Sequence, residues 1–192
     1  MLGGDLVLEQ RDPFSEELRE RLENAGFVLS DQVDLVSMIS RDGRFQPASL
    51  KAVDEVYPHY GASSVDFGNG TEQIASGPAP GEAWADPRLI ELVETGIIER
   101  EADQSGGFSN FNPRLMINTA DVEATGLVQE GSRIEFEILA AGPPEALDQV
   151  QGLLAELRRD GVEVRDVRVD RPQLGNALQR AESYLGLAGL AA

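Results

Sequence analysis

The sequence contains no cysteine. Disulfides, thiol nucleophiles and cysteine-based zinc or iron–sulfur sites are therefore excluded. A single histidine, His59, leaves no cluster for zinc and few routes to imidazole acid–base chemistry. Basic residues are scarce: 16 stand against 34 acidic ones, for a formal net charge of −18. A field of that sign repels phosphate backbones and anionic headgroups, so no nucleic acid partner is expected. No apolar run approaches the roughly 20 residues of a membrane span, and no signal-peptide pattern opens the chain. What is present is ordinary for a folded chain: 192 residues, 41% hydrophobic and 26% charged. That length suits one domain, or two small ones sharing a sheet.

Hydrophobic periodicity repeats a plan at the two ends of the chain. Asp5 to Gln10 is rich in strand formers and stops at Asp12-Pro13. Ser15 is placed to cap a helix whose Leu18, Leu22 and Ala25 share one face, and Gly26 closes it. Phe27 to Ile39 reads as a strand with a bend near Asp31, followed by a turn at Arg41-Asp42-Gly43-Arg44. Near the other end, Arg133 to Leu139 alternates with period two. A helix then carries Leu147, Val150, Leu153, Leu154 and Leu157 as its stripe, with Pro144 in its first turn and Gly161 at its close. Val162 to Val169 alternates again. Two strand–helix–strand units of this kind predict an α+β fold with a ferredoxin-like split βαβ sheet.

Between these units glycine, proline, serine and asparagine are dense, above all across Gly61 to Gly81. Short strands are expected at Pro47–Val53, Ala83–Ala85, Gly96–Arg100 and Leu115–Ile117. The whole stretch reads as an inserted, small β-rich part with long loops. At the far end Leu174, Leu178, Ala181 and Leu185 repeat at helical spacing, and the chain turns more apolar toward Ala192. That pattern fits a helix packed on the domain or one leading toward an absent transmembrane helix.

Little in the sequence carries chemistry. His59 reads as a loop histidine, since no nucleophile motif accompanies it. Carboxylate pairs cleave glycosides, but 34 acids make chance pairs common. Gly68-Asn69-Gly70 lacks the lysine and the strand-to-helix setting of a phosphate loop. No catalytic, metal-binding or cofactor-binding residue is assigned. The candidate contact residues for a partner or cargo are Phe108 and Phe111, which flank Ser109-Asn110 after a glycine pair. Exposed, they form a sticky tip; buried, they anchor the loop.

Four phrases in order carry a family resemblance. They are KAVDEVYPHYG from Lys51, PGEAWADPRL from Pro80, GGFSNFNPRLMIN from Gly106 and ATGLVQEGSR from Ala124. Together they resemble the large extracytoplasmic domain of FtsX/MacB-like ABC transporter permeases, most closely the YbbP-type branch. The resemblance implies a porter-like βαβ part from residues 1–45 and 131–173. It also implies an inserted, MacB sabre-like β-rich part from 46–130 and a helix from 174–192 entering the second membrane span. It implies a periplasmic location at the inner membrane and a non-catalytic role in a permease dimer. The partners it implies are a cytoplasmic ABC ATPase subunit and a periplasmic esterase or lysophospholipase. The expected cargo is hydrophobic or lipid-like, and no cofactor is expected. One departure stands out: the family carries a hairpin-sized stretch of about twenty residues where Val93-Glu94 bridges the gap here. Two other readings of the residues are a carboxylate-based hydrolase and a free-standing acidic periplasmic binding protein.

Overall fold

The computed structural model describes residues 4–89, 92, 96–101, 112–129 and 132–166. The chain begins with strand β1 (Leu6–Gln10), helix α1 (Glu16–Asn24) and strand β2 (Val28–Arg41). Strands β3 (Arg44–Val53), β4 (Ser63–Asp66), β5 (Thr71–Ile74), β6 (Ala83–Ala85), β7 (Gly96–Arg100) and β8 (Arg114–Asn118) follow. A short helix α2 (Val122–Thr125) leads to β9 (Ile134–Ala141), α3 (Pro144–Arg159) and β10 (Glu163–Asp166). All ten strands form one sheet in the order β10-β1-β9-β2-β3-β8-β6-β7-β4-β5.

The first four positions of that order interleave the two ends of the chain. β1 lies between β10 and β9, and β9 lies between β1 and β2, with every pairing antiparallel. Two strand–helix–strand units interlocked in this way are a split βαβ arrangement. α1 starts where expected: the Ser15 hydroxyl accepts from the Leu18 amide at 3.3 Å, and Glu16 and Glu17 sit at the positive end of the helix dipole. α3 begins with Pro144, whose missing N–H would be unpaired there in any case. Leu18 and Leu22 of α1 pack with Leu147, Val150 and Leu154 of α3 over Leu6, Leu8 and Ile138 of the sheet.

β2 is a single strand that runs from Val28 through Asp31 to Arg41, two residues beyond the expected end at Ile39. Asp42 (φ 52°) and Gly43 (φ 76°) are both left-handed, as a two-residue hairpin turn requires. β3 then carries the sheet across the boundary expected at residues 45 and 46, pairing with β2 from Arg44 to Val53 and with β8 in parallel from Ser49 to Val53. The Gly61–Gly81 stretch, read above as loop, contains the β4–β5 hairpin. Its turn is held by Asp66, whose carboxylate accepts from the amides of Gly68 and Gly70 at 2.8 and 3.2 Å.

Two further clusters complete the core. One gathers Val33, Leu35, Leu50, Ala52, Leu89, Leu115 and Ile117 on the helix-bearing side. The other lies on the opposite side and joins Val7 and Leu139 to Tyr57, Val65, Trp84, Ile98 and Met116. This second side also holds the charged groups that follow.

Candidate functional site

Strand alternation sets a row of polar residues on one side of the sheet. Glu9, Glu137 and Gln32 are direct cross-strand neighbours on β1, β9 and β2. One step along, Glu135, Asp34 and Lys51 are neighbours on β9, β2 and β3, and the row continues through Met116 to Trp84. Side chains directly opposite in this way have Cβ atoms about 5 Å apart. The ionic groups among them interlock into a belt. Arg165 of β10 donates to Glu9 and lies 3.8 Å from Glu137. Arg114 of β8 reaches Asp34 at 2.9 Å and Glu101 at 3.0 Å. Lys51 is 2% exposed; its ammonium lies 3.8 Å from Glu101, 3.3 Å from the Tyr57 hydroxyl and 4.7 Å from the centre of that ring.

Burial dominates the electrostatics here. Glu137 is pushed up to about 8, first by desolvation, then by the charges of Asp34 and Glu9, while Arg165 and Lys51 pull against them. Glu9 is raised as well, chiefly by burial. Gln32 is 5% exposed, and its amide NH₂ donates to Asp34 at 2.5 Å. Its carbonyl oxygen is buried without a hydrogen-bond partner.

A second device joins the sheet to the loop after β3. Asp54 accepts from the Ser30 hydroxyl (2.7 Å) and the Asp31 amide (2.6 Å), and also from the amides of Val56 and Tyr57 at 3.0 and 3.1 Å. The Tyr57–Pro58 bond is cis. His59 Nε2–H donates to the Leu139 carbonyl at 2.9 Å, so the histidine serves as a loop anchor. Tyr60 donates to Asp5 at 2.6 Å, and the same carboxylate oxygen accepts from the Gly142 amide. Burial and that bond push the Tyr60 phenol up to about 12. The loop therefore clasps β9 and the start of β1.

Carboxylates of different proton affinity lie side by side, as a glycosidase needs, but Glu9, Asp34 and Glu101 are each tied to an arginine by a hydrogen bond. A groove of about 370 Å³ lies elsewhere, lined by Phe14, Leu18, Leu153 and Val162 between α1 and α3. Among the described residues no group of three or more histidines and carboxylates is placed to hold a metal ion. Phe108 and Phe111 lie outside the described residues, in the segment between Glu101 and Arg114, two members of the belt.

Sequence reasoning missed the belt. The signal was present in Lys51, the only lysine in the chain. It stands in β3 between Leu50 and Ala52-Val53, all buried, where a surface lysine has no place.

No family model matches the chain. It is 27% identical over 207 aligned residues, 98% of its length, to a protein of Escherichia coli (strain K12) named "Uncharacterized ABC transporter permease YbbP". The similarity supports a relationship to ABC transporter permeases, transport components, and through them an association with a membrane. The chain spans a quarter of that relative's length. Among the described residues, no helix is long and apolar enough to cross a membrane.

Proposed function

We propose that this chain is the extracytoplasmic domain of an ABC transporter permease. In this reading it relays movement driven by ATP hydrolysis in a cytoplasmic ATPase subunit and carries no catalysis of its own. The observation that carries the reading is the similarity over 98% of the chain to a named permease four times as long. A second observation favours it. The start of β1 and the end of β10 are paired, Leu6 opposite Asp166, so the chain enters and leaves the described body side by side. A domain hung between two neighbouring membrane spans needs that geometry.

The split βαβ half, residues 1–45 and 131–173, is the porter-like part on this reading, and residues 46–130 are the sabre-like insert. The permease is a dimer, stands at the inner membrane with this domain on the periplasmic face, and moves hydrophobic or lipid-like compounds outward. A periplasmic esterase or lysophospholipase is its proposed associate. The belt and the clasp give such a domain stiffness, because they tie strands from both halves, the belt through ion pairs and the clasp through hydrogen bonds.

The test uses the whole permease in intact cells, with a single cysteine introduced at Val128, an exposed position. A membrane-impermeant maleimide is expected to label it without lysis, and the ATPase subunit to co-purify with the permease. Labelling only after lysis, or a permease that purifies without any ATPase, would overturn the reading.

A further inference from the structure

We propose that Glu137 is a proton-binding site, and that at neutral pH it holds a proton which it donates to the side-chain carbonyl of Gln32, joining β9 to β2 through a neutral pair. Three observations carry this. The first is charge balance. Among the described residues, four carboxylates of the belt, Glu9, Asp34, Glu101 and Glu137, meet three cations, Lys51, Arg114 and Arg165. Glu9, Asp34 and Glu101 each accept a charge-assisted hydrogen bond from an arginine. Glu137 does not: its contact with Arg165 is 3.8 Å, beyond hydrogen-bond reach. A fourth buried negative charge would lack compensation, and a proton supplies it.

The second observation is the orphaned acceptor. Only the NH₂ end of Gln32 can donate to the Asp34 carboxylate, so that contact fixes which end of the amide is which. The carbonyl end is buried and lacks a donor, a defect that native interiors rarely tolerate. The third observation is register. Gln32 and Glu137 are directly paired across β2 and β9 and project to the same side. A protonated carboxyl at Glu137 is the donor nearest in register to the orphan.

The groups facing Glu137 define how it responds to pH. They are Glu9 of β1, Asp34 of β2, Lys51 of β3 and Arg165 of β10, with Glu135 and Glu163 further out on β9 and β10. Arg165 gives its Nη2 to Glu9, and its Nε is buried without an acceptor, 3.6 Å from Glu163, so neither nitrogen bonds Glu137. The raised proton affinity of Glu137 agrees with this environment. Loss of the proton puts a third charge beside Glu9 and Asp34 and removes the side-chain bond from β9 to β2, loosening a seam inside the split βαβ half.

Carboxyl-carbon NMR of the chain labelled in its glutamates, titrated from pH 4 to 10, tests this directly in the unaltered protein. The Glu137 resonance, assigned by its absence in Glu137→Gln, is expected to move near pH 8, apart from the other glutamates. A midpoint between 4 and 5 would overturn the site. In Gln32→Met the neutral acceptor is gone, and the midpoint is expected to fall by at least about one unit, a tenfold loss of proton affinity. An unchanged midpoint in that variant would overturn the assignment of Gln32 as the acceptor.

Discussion

Arg114 holds two carboxylates at once, Asp34 and Glu101, and all three side chains are at least four-fifths buried. Truncating it leaves two buried charges without their guanidinium. Arg114→Ala is therefore expected to lower the unfolding free energy by about 3–5 kcal/mol. Arg88 also binds a carboxylate closely, Asp86 at 2.8 Å, but its side chain is half exposed. There the expected loss for Arg88→Ala is under about 1 kcal/mol. Urea unfolding of the two variants compares them, and similar losses would contradict the belt's role. Glu137 adds a pH dependence of definite sign. The folded protein keeps its proton up to about pH 8, while an unperturbed carboxyl releases it near 4.5. Between those values the native state binds more protons than the unfolded one, so stability falls as pH rises through that window and levels off above it. Glu9 is shifted in the same direction and adds the same sign. Glu137→Gln does not titrate. Its stability relative to the unaltered protein is expected to climb from pH 5 to 8, by up to about 1.4 kcal/mol per unit. A flat difference across that range in thermal melts would rule this out.

The β2–β3 hairpin is longer than its neighbours require. β9 pairs with β2 only as far as Leu35, and β8 meets β3 only from Ser49 onward. Residues 36–48 thus form a two-stranded arm closed by Asp42-Gly43. Val36, Met38 and Phe45 project from one side of it, 63%, 56% and 69% exposed. Since almost nothing packs on them, changing all three to serine is expected to leave the melting temperature within a few degrees, because exposed positions are usually worth under about 0.5 kcal/mol each. Leu154→Ala in α3, at 1% exposure, is expected to cost about 2–5 kcal/mol in the same assay. A large loss in the triple variant would mean that the arm's apolar side is covered. Elements like α3 were legible in the sequence because Leu147, Val150 and Leu154 recur at one period and Pro144 and Gly161 mark the ends. The β4–β5 hairpin was not. Its strands, Ser63–Asp66 and Thr71–Ile74, are four residues each and mostly polar, too short for an alternation to stand out. The belt escaped for a related reason. Ion pairs such as Arg114 with Asp34 join residues 80 apart in the chain, and spacing along a sequence is blind to partners brought together only by the sheet.

At the scale of the whole molecule, the sheet joins its first and last strands at one edge and places the start of β1 against the end of β10. Leu6 faces Asp166 in register, and adjacent strands lie about 4.8 Å apart. A linker of about four glycine and serine residues can span that gap. The two-residue turn at Asp42-Gly43 can then be opened without breaking any other connection, since β2 is held by β9 and β3 by β8 on their far sides. A permuted chain running from residue 44 to 166, through the linker, then from 4 to 41, should therefore form the same sheet. One short closure replaces another, so its stability is expected to stay within about 1–2 kcal/mol of the linear 4–166 chain, the scale of loop-closure differences. Far-ultraviolet circular dichroism and urea unfolding of both chains make the comparison. A cooperative transition of similar steepness is the expected outcome. If the linear chain folds and the permuted one does not, the paired ends at Leu6 and Asp166 are not where the fold puts them. The geometry that favours a domain hung between two neighbouring membrane spans would then fall with them.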